Sequence, residues 1–259
     1  MTSSSADLSG VLLKIDRAKT HLNDFDRRAE RIKTACRKAV IRERDEQRSE
    51  YVFRFNRVPA VPALLIAVIG DAIHNLRVSL DHLAWQLVIA TGSTPRTKDV
   101  TTFPILEVLP TADHWGRALP QITPRVPKTL REVLDEVQPY KRAKPAHHEL
   151  AVLHQLDISD KHRKLLVAVI GVQSFAWFGE ITPTMFNPGP YDDGAEICRF
   201  PYSNTNSENE FNPVITFSVR LDDPAAGPWR LMLGAADLVR RRLLGYIEEE
   251  VLPRFRGYF

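Results

Sequence analysis

Pro62–Thr91 reads PALLIAVIGDAIHNLRVSLDHLAWQLVIAT. Past its first residue it holds no proline, and as one helix it would be about 45 Å long. Ile66, Ile69, Ile73, Leu76, Leu80, Leu83 and Leu87 recur at steps of three and four, which marks one buried face. The other face carries Asp71, His74, Asn75, Asp81, His82 and Gln86, with Arg77 at its margin. A solvated helix face is ordinarily rich in Lys and Glu, and this one has neither. The pattern predicts a core helix whose polar face is the site.

Upstream, residues 1–6 read as a disordered tail. The opening MTSSSADLSG lacks the basic and apolar regions of a signal peptide. A helix is predicted from Asp7 to Ser9 onward, because Leu8, Val11, Ile15, Ala18, Leu22, Phe25, Ala29, Ile32 and Cys36 step by three and four. That sustained heptad suits a helix packed on its own domain, or a seam through which two copies form a homodimer. The small seam residues Ala18 and Ala29 favour the first. Val40 to Phe55 predicts two antiparallel strands around the charged run RERDEQRSE, with Tyr51, Phe53 and Phe55 alternating. Pro59 and Pro62 then lead into the central helix.

Downstream of Gly92, prolines cut the chain into short pieces. Helices are predicted at Thr111–Leu119, Pro127–Val137 and Ala146–Ile158, the last followed by SDKHR as a turn. Strands are predicted in Lys164–Phe178, Ala195–Tyr202 and Val214–Leu221, where Ile215, Phe217, Val219 and Leu221 alternate with polar residues. Pro183–Gly194 reads as a loop and Ser203–Asn212 as a polar turn. A helix from Pro228 to Leu252 closes the chain, with Met232, Ala236, Val239, Leu243, Ile247 and Val251 as its stripe. Strands in runs, not alternating with helices, predict an α+β fold: one domain, long helices packed on an antiparallel sheet.

The chain has 259 residues and a formal net charge of +3, a mild balance that does not by itself signal nucleic acid. Cys36 and Cys198 stand far apart in no metal-like spacing, which fits a reducing cytosol. The apolar run Val58–Gly70 stops at Asp71, short of the about 20 residues that a membrane span needs. There is no G-x-S-x-G, no phosphate-binding glycine loop, no G-x-G-x-x-G and no zinc cysteine pair. Common hydrolases, nucleotide-binding folds and classical DNA readers are thereby disfavoured.

On a helical wheel His74, Asp81 and Trp85 fall together, and Arg77 and Asp81, four apart, are spaced to pair. A second polar cluster, HHELAVLHQLDISDKHR, holds His147, His148, His154, Asp157, Asp160, His162 and Arg163. Facing helices would join the two clusters into a pocket of imidazoles and carboxylates, suited to acid–base work. Asp71-x-x-His74 and His154-x-x-Asp157 have metal-ligand spacing. Without Glu-x-x-His or His-x-x-x-His, no metal or other cofactor is expected.

Arg77 and His82 form R-x4-H, a spacing that resembles the HEPN ribonuclease superfamily. The resemblance implies an Arg and a His of one helix acting on a scissile phosphate. Val78 stands where HEPN motifs usually carry a polar residue, and R-x4-6-H recurs from Arg142 to His147 and His148. IGDAIHNLRVSLDHLA followed by SDKHR resembles a group of uncharacterised bacterial and phage-associated proteins, which implies relatedness without an activity. The expectation is an intracellular bacterial protein that binds or cleaves a phosphate-containing ligand such as RNA. His74, Arg77, Asp81 and His82 are its catalytic candidates. Asp71, Asn75, His154, Asp160, His162 and Arg163 are its ligand-binding candidates. The alternative is a non-catalytic protein that self-associates or binds a partner through its long helices.

Overall fold

The first helix, α1 (Ser9–Ala39), opens where the Asp7 carboxylate accepts the Ser9 N–H at 2.7 Å. It ends on Arg37 and Lys38, which complement the partial negative charge of a helix C-terminus. Its heptad is spent inside the chain: Val11, Ile15, Ala18, Leu22, Phe25, Ala29 and Cys36 are all buried in the core. Leu22 and Phe25, the seam positions of the heptad, face this fold's own core. The structure is a computed structural model that describes residues 6–92, 102–110, 128–162, 166, 168–177, 181–202, 213–230 and 232–259. The helix expected at Thr111–Leu119, the turn at Ser203–Asn212 and the first five residues of the tail lie outside the described residues.

After α1 come β1 (Val40–Asp45) and β2 (Glu50–Phe55), an antiparallel hairpin with Val40 opposite Phe55 and Asp45 opposite Glu50. The core helix α2 (Ala63–Ala90) follows, on the expected residues. It runs back along α1: the Asp7 N–H donates to Gln86 Oε1, and His82 packs over Gly10. By length and apolar composition α2 could cross a membrane. Here it is a core element, with α1 on one side and the helix of the second polar cluster on another.

Helix α3 (Lys128–Glu136) matches its expected position. Helix α4 (Glu149–His162) runs further than the sequence suggested. Ser159, Asp160, Lys161 and His162 are its last turn, not a turn after it. The Asp157–Lys161 pair, four apart at 2.7 Å, supports that extra turn.

The strands β3 (Ala168–Ala176), β4 (Met185–Phe186), β5 (Glu196–Pro201) and β6 (Val214–Leu221) complete the β-structure. The expected single sheet is two antiparallel sheets, β1-β2-β5-β4 and β3-β6. Tyr51, Phe53 and Phe55 of β2, with Cys198 and Phe200 of β5, turn one face of the larger sheet inward. On its other face Arg199 pairs with Asp45 at 3.0 Å, Glu50 at 3.2 Å and Glu196 at 2.6 Å. The Phe55 and Phe217 rings, 5.2 Å between centroids, join the two sheets in one core. Strand β4, in the expected Pro183–Gly194 loop, was missed because two residues give no alternation to read.

The closing helix starts later than expected. Gly227, at φ +60°, breaks the run before Pro228, and Pro224–Trp229 is a 3-10 turn. The C-terminal helix, α5, covers 235–255: one α turn at Ala235–Asp237, π-helical stretches at Leu238–Leu244 and Ile247–Val251, and an α end at Leu252–Phe255. Val239, Leu243, Ile247 and Val251 are buried as the stripe requires, whereas Met232 lies outside the helix and is 73 % exposed. Ion pairs Arg240–Asp26 and Lys19–Glu248 fasten α5 to α1, and Arg242–Glu149 fastens it to α4.

Candidate functional site

Two polar groups grow out of the α2 face, and α4 decides how they differ. The first is Arg77 with Asp81. One turn apart, they pair through Arg77 Nη1 and Asp81 Oδ1 at 2.6 Å. The pair then clasps the loop after Thr102: Arg77 Nη2 donates to the Phe103 carbonyl at 3.2 Å, and the Phe103 N–H donates to Asp81 Oδ1 at 2.9 Å. Arg77 is 7 % exposed and Phe103 1 %. The sequence placed both residues among the catalytic candidates; the structure puts their charged ends to work holding the chain together.

The second group is His74 with the last two turns of α4. His74 Nδ1 meets Asp157 Oδ1 at 3.0 Å, and Lys161 Nζ meets the other oxygen, Oδ2, at 2.7 Å. The Asp157 side chain is 6 % exposed while that of His74 is 44 % exposed. A buried carboxylate thus holds a half-exposed imidazole by one nitrogen. With Asp157 ionised, the His74 proton belongs on Nδ1 and leaves the Nε2 lone pair free. Nε2 makes no hydrogen bond among the described residues.

Asp160 sits beside this dyad, directly on the backbone of α2. A Cβ added at Gly70 would lie 2.6 Å from Asp160 Oδ2, so only glycine admits the carboxylate there. Asp160 Oδ1 is buried without a hydrogen-bond partner. Burial, then the neighbouring charges of Asp71 and Asp157, push the Asp160 carboxyl above the usual carboxylate range. His154 stands on the same side of α4, its Nδ1 also buried without a partner. Burial, reinforced by Arg77, holds its imidazole below the ordinary histidine range.

The IGDAIHNLR and SDKHR blocks therefore meet, but not every member reaches the meeting point. His82 turns toward α1, where a Cβ on Gly10 would lie 2.9 Å from its Nδ1. The R-x4-H pair accordingly divides, Arg77 toward Phe103 and His82 toward Gly10. Asn75 returns its amide to the Asp71 carbonyl at 2.8 Å, and Asp71 is exposed at the edge of the Asp160 site. The His162 side chain and Arg163 lie outside the described residues. Asp157 and Lys161 carry more of the site than their place in the sequence reading gave them. The signal was their i, i+4 spacing, which reads as a pair once α4 is allowed its last turn. Gly70, a lone glycine inside a helix pattern, was the other overlooked sign of close approach.

Chemically the arrangement offers a positioned proton acceptor at His74, a carboxyl biased toward its protonated form at Asp160 and an ammonium at Lys161. Among the described residues no group of three or more His, Cys, Asp or Glu side chains is arranged to hold a metal ion. Comparison with protein-family models, curated proteins and solved structures returned no match for this chain.

Proposed function

We propose that this protein binds a phosphate-containing ligand at the α2–α4 crossing and acts on it by proton transfer, with RNA as the leading ligand class. One observation carries the reading: the buried Asp157 carboxylate holds His74 at 3.0 Å while leaving its other nitrogen toward solvent. His74 is the base of the proposal, Asp157 its positioning residue and Asp160 the acid. Lys161, partly exposed beside Asp157, supplies the cation that meets the phosphate, since Arg77 is buried between Asp81 and Phe103. Kinship with the uncharacterised bacterial and phage-associated proteins, and a place in the cytosol, belong to the same proposal. So does the absence of a cofactor.

The test compares three variants on labelled single-stranded RNA and on mononucleotides. His74→Ala and Asp157→Asn are expected to lower cleavage by about 100-fold or more, the range of a lost general base. His82→Ala, which faces α1, leaves cleavage unchanged. Folding of each variant is checked by circular dichroism. RNA and nucleotides that are neither bound nor cleaved by the wild-type chain would overturn the proposal. So would a folded His74→Ala that cleaves normally.

A further inference from the structure

Helix α4 has a second polar flank, and it lines a different cavity. Gln155 and Ser159 project about 120–160° around the helix from Asp157 and Lys161. They form one wall of a cleft of about 460 Å³, closed by Glu107, Ala146, Asp223, Pro224 and Ala225. That volume is in the range of small-molecule sites. The opposite wall is the 3-10 turn Pro224–Trp229, which packs on α4 and whose Gly227 lies over Val152. Asp223 builds that wall, accepting the Ala225 N–H through Oδ1 at 2.9 Å.

Two of these side chains are unusual for a cleft wall. Asp223 is 3 % exposed and Ser159 is 5 % exposed. Beyond the one cap bond, Asp223 has no ion pair among the described residues, and the Ser159 hydroxyl has no hydrogen-bond partner among them. Buried carboxylates are ordinarily paired with a cation, and buried hydroxyls are ordinarily bonded. Among the described residues the lining holds two carboxylates, Asp223 and Glu107, and no Lys, Arg or His. An anion would be repelled from it, so its ligand differs in kind from the one proposed for the His74 site. The missing complement is a cation that can also donate hydrogen bonds, with Ala146, Pro224 and Ala225 to cover its carbons.

We propose that this cleft binds a small organic ammonium ion of the alkylamine or diamine class. Its nitrogen is held by Asp223 and Ser159 and its chain lies on Pro224 and Ala225 toward Glu107. The claim is independent of the His74 reading, since none of the cleft residues belongs to that site.

The experiment is calorimetric titration of the full chain with 1,4-diaminobutane and, separately, with 1,4-butanediol, which has the same length without charge. The diamine is expected to bind and the diol not. Asp223→Asn keeps an oxygen for the Ala225 cap and is expected to weaken diamine affinity by about tenfold or more, with Ser159→Ala giving a smaller loss. His74→Ala leaves the affinity unchanged. Should Asp223→Asn unfold, Glu107→Gln on the rim and Ser159→Ala carry the test. The proposal is overturned if the diol binds as well as the diamine, or if neither binds at millimolar concentration. It is equally overturned if the diamine binds with the same affinity to the folded Asp223, Ser159 and Glu107 variants.

Discussion

The two polar groups of α2 lie one turn apart and share residue types, yet they differ in how complete they are. Around Arg77 and Asp81 the hydrogen bonds close on Phe103, with distances of 2.6 to 3.2 Å and the guanidinium buried. Around His74 one nitrogen is held and the other is open, and beside it Asp160 keeps a buried oxygen unpaired. A closed buried network fixes a fold, because each member is the only good partner of the next. An open one has left room for something else. The contrast separates a clasp from a site without any appeal to which residue types are present.

The contrast breaks most readily at the clasp. Arg77→Ala removes the guanidinium that Asp81 and the Phe103 carbonyl share, and a loss of about 3–5 kcal/mol in urea unfolding is expected. His74→Ala, with a half-exposed side chain, should stay within about 1 kcal/mol of wild type in the same measurement. Equal losses at both positions would erase the distinction.

Acid sensitivity sharpens it next. His148 is buried, caps α4 by accepting the Leu150 N–H at 3.1 Å, and is pushed by burial from 6.5 down to about 4. Its folded form therefore binds fewer protons than the unfolded chain between those values. Stability is full above about 6.5 and falls as pH drops toward 4, by about 3 kcal/mol in total. Asp160 has the opposite sign. Its carboxyl is raised, so its ionised form opposes folding, and stability is regained as pH falls through the folded value. In thermal melts across this window, His148→Asn should flatten the acid limb and Asp160→Asn should steepen it.

A steric test comes third. Gly70→Ala drives a methyl against the Asp160 carboxylate and should lose about 1–3 kcal/mol, the usual range for overpacking. Asp160→Ala in the same chain should recover most of that loss, a coupling that a double-mutant cycle measures directly. The smallest effect is expected for Asp160→Asn alone at pH 7. It should be neutral or slightly stabilising in urea unfolding, where Asp81→Asn is destabilising. A clear loss at Asp160 would mean that its charge serves the fold after all.

Much of this was open to reading because it is local. The buried stripe of α2, the α1 heptad and the Arg77–Asp81 pair all follow from helical spacing within a few residues. The meeting of the IGDAIHNLR and SDKHR blocks could be stated as an expectation, since both polar faces had to turn somewhere. What could not be read were partners set by distant chain. Nothing near His82 announces Gly10, and nothing near Arg77 announces the carbonyl of Phe103. The division of the strands into two sheets depends on β2 finding β5 across more than a hundred residues. The end of α4 was misjudged for a different reason: Ser and Asp favour caps and turns, and here an ion pair one turn back outweighed that preference.

The hairpin between α1 and α2 has a kinetic consequence. Residues 7–90 bring two long helices together through a connection made of β1 and β2, so their contacts fall within one continuous segment, with Asp7 and Gln86 79 positions apart. The larger sheet is completed only when β5 arrives, with Arg54 and Glu196 separated by 142 positions. Loop closure over that length is slow relative to pairing neighbouring helices. In pulse-labelled hydrogen exchange during refolding, the amides of α1 and α2 should gain protection first and those of β5 last. The His74–Asp157 pairing would then be assembled by the later docking of α4 onto a helix pair that already exists.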